Sequence, residues 1–283
     1  MTTDFASGID AFAQNGCLVL DLAHGPESLV FHVRAQLLAW LRQHWIAGLD
    51  RIENYHLHVQ DDERHTAIQH DLTQRYQAAG FGPALIEENL DFFRQLIGPD
   101  LHVQKFPYLR IARPGKRQDN IGIHRDTHYG GSPYELSVSV PFTDAGRDGS
   151  LGVLQGSHVL PESAFAVDQK TSADVTKGSV KHQLGFLYAP KELPQQIRQQ
   201  VTPLALRPGQ ALVFSLSLVH GQEINHSNVT RLQSDARVVS SFAPIQWTRN
   251  VHADYYRPLC SSAVAEQARR YLAANAVTAE KTP

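Results

Sequence analysis

Residues 206–242 read LRPGQALVFSLSLVHGQEINHSNVTRLQSDARVVSSF, and this stretch decides the fold class. A turn at Pro208-Gly209 leads into an apolar run that ends at His220. A loop rich in Asn and Ser follows, and a second run of small and apolar residues comes after it. Apolar runs separated by turn residues are typical of β-strands. The stretch therefore predicts two strands joined by a loop, with no helix between them.

The same pattern extends back to about residue 101. Many short strands without intervening helices favour an antiparallel sandwich or barrel. A more polar segment at about 160–194 interrupts the pattern, and its length predicts a lid or binding loop. The candidate strands are Leu101–Val103, Tyr108–Ala112, Ile121–His124, Leu136–Pro141, Gly152–Gln155, Gln200–Leu204, Ala211–Ser215 and Arg237–Phe242.

The first hundred residues are predicted to be mainly helical, after a short strand at Cys17–Leu20. Apolar residues recur at three- and four-residue steps from Leu29 onward, from about Asp62 to Ala79, and from Pro83 to Gly98. A last helix is expected over 262–275. We expect one domain spanning 1–283, in which a helical segment over residues 1–100 packs on a β core at 101–245.

The composition is that of an ordinary soluble globular chain. A formal charge of −2 over 283 residues offers no electrostatic attraction for nucleic acid or an anionic membrane. No apolar run approaches the roughly 18 residues of a membrane span, and the N-terminus lacks the basic and apolar regions of a secretion signal. Cys17 and Cys260 are too few for a disulfide framework. We expect a cytoplasmic protein whose partner is a small molecule; its oligomeric state stays open.

The first candidate for chemistry is the segment IGIHRDTHYGG at residues 121–131. Side chains two apart on a strand point to the same face, so His124 and Asp126 can reach one metal ion. An imidazole and a carboxylate suit iron(II), zinc(II) and manganese(II). Because a chain with fifteen histidines contains such pairs by chance, the pair alone does not establish a metal site.

The second candidate is His220, at the end of its apolar run. Two histidines and one carboxylate on one face of an octahedron form the ligand set of non-haem iron(II) oxygenases. Arg231 follows eleven positions later, and its planar guanidinium can bind a carboxylate through two hydrogen bonds. The pattern predicts an iron centre that uses 2-oxoglutarate, with His124, Asp126 and His220 as ligands and Arg231 on the far carboxylate.

Two alternatives to these assignments stay open. Arg237 lies six residues after Arg231, on the same face of an extended segment. We prefer Arg231 because Asp235 can pair with Arg237. His226 is the rival distal ligand, but it lies in the Asn- and Ser-rich loop rather than at a strand end.

Several segments together resemble the phytanoyl-CoA dioxygenase-like branch of the Fe(II)/2-oxoglutarate-dependent oxygenases. They cover most of the chain: IDAFAQNGCLVLD (9–21), YLRIARPG (108–115), HRDTHYGG (124–131), LGVLQGSH (151–158), PGQALVFSLSLVHGQ (208–222) and TRLQSDAR (230–237). The resemblance implies a mainly β fold with flanking helices, a double-stranded β-helix (jelly roll, cupin-like). It implies Fe(II), 2-oxoglutarate and O2 as cofactors, held by the residues named above. The resemblance also makes Gln222 and Ser139 candidate cosubstrate contacts. Gln222 stands where relatives often have a serine that contacts 2-oxoglutarate, and Ser139 where many have a tryptophan beside the cosubstrate.

The resemblance also implies a reaction type. The expected activity is hydroxylation of an unactivated C–H bond of a small metabolite, with release of succinate and CO2. Related halogenases replace the ligand carboxylate with a small residue, so Asp126 favours hydroxylation. Desaturation, ring formation and epimerisation stay open. Two readings from other classes are a zinc or manganese hydrolase, in which Arg231 would have no role, and a non-catalytic jelly-roll binding module.

The substrate is the least determined element of the prediction. Arg113, Lys116 and Arg117 form a basic loop before the metal motif, and further lysines lie in the polar segment. An anionic metabolite, such as a sugar acid or a secondary metabolite, is the sharper hypothesis, and a solvated surface is the alternative. The candidate substrate contacts are Arg110, Lys116, Arg117, His128 and His182.

Overall fold

Two antiparallel sheets form the centre of the fold in the computed structural model, which describes residues 5–22, 27–165, 193–244 and 255–279. The strands are β1 (Cys17–Asp21), β2 (Leu101–Gln104), β3 (Tyr108–Ala112), β4 (Glu135–Pro141), β5 (Gly152–Leu154), β6 (Thr202–Pro203), β7 (Gln210–Ser215), β8 (Val219–Gly221), β9 (Arg231–Ser240) and β10 (Tyr256–Cys260). Within these ranges, seven strands belong to a large sheet and three to a small one.

The chain alternates between the two sheets. The large sheet has the order β1-β7-β4-β9-β2-β10, with β3 also paired to β9, and the small sheet has the order β6-β5-β8. From β4 onward the path runs from the large sheet to β5 and β6 in the small one, back to β7, across to β8 and back to β9. This alternation confirms the predicted jelly roll, with two facing sheets rather than a closed barrel.

Helices cover one face of the large sheet. The longest helix of the first hundred residues begins after Asp61, whose side chain accepts a hydrogen bond from the backbone N–H of Arg64 at 2.7 Å. Such an N-cap satisfies one of the unpaired donors of the first turn. The helices are α1 (Phe5–Asn15), α2 (Leu29–His44), α3 (Tyr55–His58), α4 (Asp62–Ala78), α5 (Phe81–Glu87), α6 (Leu90–Ile97), α7 (Gly146–Gly149), α8 (Gln195–Arg198) and α9 (Ala263–Ala279).

The two faces of the large sheet differ in chemistry. Alternate residues of a strand point to opposite faces. On β9, Leu232 and Val238 belong to the apolar core that includes Leu37 of α2 and Leu72 of α4. The β9 side chains that point to the opposite face are polar, and they face the small sheet together with polar residues of β3 and β4. This polar set is Arg231, Gln233, Asp235 and Arg237 on β9, Arg110 on β3, and Ser137 and Ser139 on β4.

Several sequence expectations differ from the structure. The predicted strand Ile121–His124 was wrong: only His124 forms a bridge, because Gly122 adopts a φ of 96° that interrupts extended backbone. The single helix expected from Pro83 to Gly98 is two helices separated at Glu88–Asn89. The strand predicted at Arg237–Phe242 begins at Arg231, and α1 and β10 were not foreseen.

Much of the predicted lid lies outside the described residues. The residues concerned are 166–192, which include His182 and the lysines assigned to that segment. The described portion of the segment contains a short 3-10 turn at Glu162–Ala164. Among the described helices, none has the length and apolar character needed to cross a membrane.

Arg113, assigned from the sequence to a basic loop, is buried. Its Nε and Nη2 donate to the two carboxylate oxygens of Asp119 at 2.8 and 2.9 Å, and Nη2 also donates to Asp62 at 2.7 Å. Its Nη1 donates to the carbonyl of Gln60 at 3.0 Å. The guanidinium thus joins the loop after β3 to the start of α4.

Replacing Arg113 with methionine should therefore destabilise the fold strongly. The substitution leaves Asp119, whose side chain is 1% exposed, as a buried carboxylate without its partner, which costs about 3–5 kcal/mol. Chemical denaturation measures the loss in the free energy of unfolding. The control is Arg94→Met, which removes an exposed pair with Asp91 worth roughly 0–1 kcal/mol. Equal losses in the two variants would contradict the structural role of Arg113.

Candidate metal centre

Three of the predicted metal ligands lie together. One ligand atom from each of His124, Asp126 and His220 lies within 4.8 Å of the others, and all three residues are buried. The Nε2 atom of His124 lies 3.4 Å from Oδ1 of Asp126, and that of His220 lies 4.0 Å from Oδ2. Two imidazoles and a carboxylate at these separations form a donor set that one divalent ion can contact.

A backbone bridge brings the two histidines together. His124 and His220 face each other as an isolated antiparallel pair, and each N–H donates to the other's carbonyl at 2.9 Å. Asp126 follows His124 by two residues and begins a 3-10 turn, Asp126–Tyr129. The bridge therefore fixes the distance between ligands that are nearly a hundred residues apart in sequence.

The ring orientation of both histidines is set by backbone carbonyls. Nδ1 of His124 lies 3.0 Å from the carbonyl oxygen of Gly122, and Nδ1 of His220 lies 2.9 Å from that of Leu218. A carbonyl only accepts hydrogen bonds, so Nδ1 carries the proton and Nε2 keeps a lone pair for a metal. Burial, together with neighbouring His124, lowers the pKa of His220 to about 4 and keeps it neutral.

Asp126 is held in its ionised form. Burial opposes ionisation, but the Arg237 guanidinium outweighs it and holds the pKa of Asp126 well below its ordinary range. Nη2 of Arg237 lies 3.4 Å from Asp126, and Nη1 lies 3.5 Å from Glu135. Arg237 is thus shared between two protein carboxylates.

Arg231 differs from Arg237 in having unused donors. It is buried at the start of β9, where its Nη2 donates to Oδ1 of Asn120 at 2.8 Å. Among the described residues, its Nε and Nη1 find no hydrogen-bond partner. Burial lowers the pKa of Arg231 to about 10. Because a buried N–H without an acceptor is costly, this guanidinium is suited to an anionic ligand.

The two other predicted cosubstrate contacts share this property. Within the described ranges of the chain, the buried Oγ of Ser139 and Oε1 of Gln222 also find no hydrogen-bond partner. Ser139 lies opposite Asp235 of β9, and Gln222 follows His220 by two residues. Buried polar atoms are normally hydrogen-bonded. Arg231, Ser139 and Gln222 therefore each carry capacity for a polar ligand.

The predicted substrate contacts are dispersed. Arg110 pairs with Asp235 at 3.4 Å on the polar face of the large sheet. His128 pairs with Glu162. Lys116 contacts Asp62 beside the start of α4, and Arg117 is exposed. His226, the rival distal ligand, is exposed in the loop after β8 and lies outside the three-residue cluster.

Sequence reasoning missed four residues that shape this site. Asn120 holds Arg231, Glu135 shares Arg237, Arg125 lies buried between two ligands, and Gly221 directly follows the third. Gly221 has a φ of 133°, and a Cβ there would lie 2.1 Å from the carbonyl oxygen of Gly122. Only the Gly after His220 gave a signal in the sequence, since glycine marks positive φ.

One protein-family model matches most of the chain. The sequence model of the family described as Phytanoyl-CoA dioxygenase (PhyH) matches residues 12–232. A search of curated proteins finds no match.

Two solved structures of ThoJ share the fold, and that of SnoN is less similar. The apo form of ThoJ, a non-heme monooxygenase, is similar with a TM-score of 0.54 and 17% identity, over 90% of this chain and 84% of that one. Its nickel complex gives 0.52 and 16%, over 91% and 85%. The non-heme alpha-ketoglutarate-dependent epimerase SnoN gives 0.49 and 15%, over 91% and 98%. At these identities the likeness concerns the fold.

Gly221→Ala should weaken metal binding. The added Cβ collides with the Gly122 carbonyl and disfavours the positive φ. The two backbone hydrogen bonds of the His124–His220 bridge therefore cannot keep their geometry. Disturbing the groups that orient metal ligands typically costs about 10–100-fold in affinity. Titration of the metal-free protein with Co(II) measures the change. Gly48→Ala, at a position with nothing within 4 Å, is the control; unchanged affinity in Gly221→Ala would refute the expectation.

Proposed function

The chain belongs to the phytanoyl-CoA dioxygenase family, and from this premise we propose that it is an iron(II)- and 2-oxoglutarate-dependent oxygenase that hydroxylates a C–H bond of a small metabolite. His124, Asp126 and His220 would hold the iron, and Arg231 the far carboxylate of 2-oxoglutarate. When bound, these groups supply the oxidative chemistry that consumes O2 and releases succinate and CO2, while the protein binds and orients them.

The observation that carries this proposal is the unused hydrogen-bonding capacity of Arg231. Its Nε and Nη1 have no acceptor among the described residues, although the side chain is buried. A carboxylate accepts two parallel hydrogen bonds from a guanidinium. Metal-dependent hydrolysis gives no reason for such a group in this place. Arg231 therefore supports a carboxylate-bearing cosubstrate over a metal-activated water.

The three-residue cluster fits the iron that the family implies. The lone pairs on Nε2 of both histidines and the ionised Asp126 provide two nitrogen donors and one oxygen donor. This is the set that leaves further positions on the ion for small ligands. Zinc and manganese accept the same donors, so family membership and Arg231, rather than the cluster alone, favour iron.

Protein residues prepare each region of the site. Asn120 accepts a hydrogen bond from Nη2 of Arg231. This contact limits rotation of the guanidinium and so fixes the direction of Nε and Nη1. Arg237 offsets the charge of Asp126 and is itself balanced by Glu135. Because Arg237 already has two protein partners, we assign the cosubstrate carboxylate to Arg231. Ser139 and Gln222 would offer further hydrogen bonds.

The substrate we propose is a small metabolite with an anionic group. Arg110, whose side chain lies on the polar face of the large sheet beside Asp235, is the candidate for binding that group. Lys116 and Arg117 stay weaker candidates because Lys116 contacts Asp62. The choice of hydroxylation over desaturation, ring formation or epimerisation stays a prediction, as does a cytoplasmic location, and the oligomeric state stays open.

Anaerobic addition of Fe(II) and 2-oxoglutarate to the metal-free protein should produce a weak visible charge-transfer band. The band requires chelation of the ion by the cosubstrate, so neither component alone should give it. On admission of O2, fractions of a metabolite extract that contain the substrate should stimulate succinate release. The proposed function would be wrong if the band is absent and no extract fraction stimulates succinate release.

Arg231→Gln should raise the 2-oxoglutarate concentration needed for half-maximal band intensity. Loss of a hydrogen bond to a charged group costs about 1.5–3 kcal/mol, which corresponds to roughly 10–100-fold. Co(II) affinity should change little, because Arg231 contacts none of the three ligands in the described contacts. Arg237→Gln is the matched comparison. A larger effect of Arg237→Gln on the 2-oxoglutarate requirement would transfer the role to that residue.

A further inference from the structure

Arg125 lies between two candidate ligands, His124 and Asp126, and is among the most deeply buried side chains of the described residues. Its side chain is 1% exposed. A guanidinium loses its hydration on burial, and this loss is tolerated only when hydrogen bonds replace the water. The contacts that replace it therefore indicate what the side chain does.

The first contact reaches the segment of the third ligand. Nε of Arg125 donates to the carbonyl of Ser217 at 2.5 Å. Ser217 lies in the turn between β7 and β8, and the next carbonyl, that of Leu218, orients the ring of His220. One side chain thus connects the segment that carries His124 and Asp126 to the turn that aims His220.

The remaining nitrogens reach a third segment. Nη2 donates to the carbonyls of Ser157 and Leu160, both at 3.1 Å, and Nη1 lies 3.5 Å from Glu162. The Cζ atom lies 4.6 Å from the centre of the Phe165 ring. The guanidinium therefore joins residues 157–165 to the two ligand-bearing segments.

The three segments are also joined to one another. The hydroxyl of Ser157 accepts from the N–H of Val219 at 2.9 Å, and the hydroxyl of Ser217 donates to the carbonyl of His158 at 2.9 Å. Val219 immediately precedes His220. The network therefore closes around Arg125, whose planar fork donates in several directions at once, which a lysine ammonium does less well.

We propose that Arg125 is a positioning residue that sets the separation of the two ligand-bearing segments. Its nitrogens are directed at backbone carbonyls and Glu162, so it acts through the ligands and does not bind the substrate. The inference rests on the proposed function, because it concerns the same metal centre. The His124–His220 bridge fixes the backbones at one point, and Arg125 fixes the turn whose Leu218 carbonyl orients the His220 ring.

Co(II) binding to the metal-free protein tests the proposal. Arg125→Met should weaken Co(II) binding at least about tenfold and change the intensity and position of the visible Co(II) bands, which report ligand geometry. Arg125→Lys keeps the charge and can reach one carbonyl, so it should restore some of the affinity. Glu162→Gln removes the ion pairs with Arg125 and His128 but keeps every carbonyl contact of Arg125. Its Co(II) affinity should stay within about twofold of that of the unmodified chain, a smaller change than is typical for groups that orient metal ligands.

A control separates positioning from general stability. Leu37→Ala opens a cavity in the apolar core on the helical side of the sheet and should lower stability without changing the Co(II) spectrum. Equal affinity and an unchanged spectrum in Arg125→Met would overturn the proposal, as would an equal spectral change in Leu37→Ala. If Arg125→Met does not fold, Arg125→Lys decides by the same spectral criterion. Failure of the unmodified chain to bind Co(II) would overturn the proposed function, and this inference with it.

Discussion

The backbone bridge between His124 and His220 is the constraint on which the rest of the site depends. Its two hydrogen bonds place one residue of the segment before β4 opposite one residue of β8. The same pattern repeats on both sides, since each ring is held by the carbonyl two residues before it. Gly221 permits the close approach, because a Cβ there would lie 2.1 Å from the carbonyl oxygen of Gly122, and both glycines adopt positive φ where the two segments meet. Side chains then refine an arrangement that the main chain establishes.

Four buried or partly buried arginines differ in how far protein groups satisfy their hydrogen-bond donors. Arg113 donates to Asp119 and Asp62, and Arg237 pairs with Asp126 and Glu135. Arg125 donates to backbone carbonyls through Nε and Nη2, while its Nη1 has only the ion pair with Glu162 at 3.5 Å. Within the described residues, Arg231 alone among these four keeps two nitrogens without an acceptor while its third is held by Asn120. Since burying a guanidinium is favourable only with partners, the two unpaired nitrogens of Arg231 support the proposal that it binds an external carboxylate.

Much of the site was predictable because its signals are local in sequence. Spacing and strand-end position placed His124, Asp126 and His220 together, and the limits of β3 were predicted to the residue. Asn120, Arg125 and Glu135 escaped prediction because their roles arise from contacts with distant segments, such as Ser217 and Arg231. The predicted strand at Ile121–His124 was wrong for a local reason. The apolar pattern suggests extended backbone, but Gly122 adopts a positive φ that the pattern does not reveal. Periodicity likewise did not reveal the turn at Glu88–Asn89.

The cluster joins the two sheets, since His220 belongs to β8 of the small sheet and Asp126 precedes β4 of the large one. An ion held by both would act as a cross-link, and its binding free energy would add to that of folding. Loaded and unloaded chains would then differ in how often the sheets separate and expose their backbone to proteases. The supply of metal in the cell would in that way govern the lifetime of the protein as well as its catalytic activity.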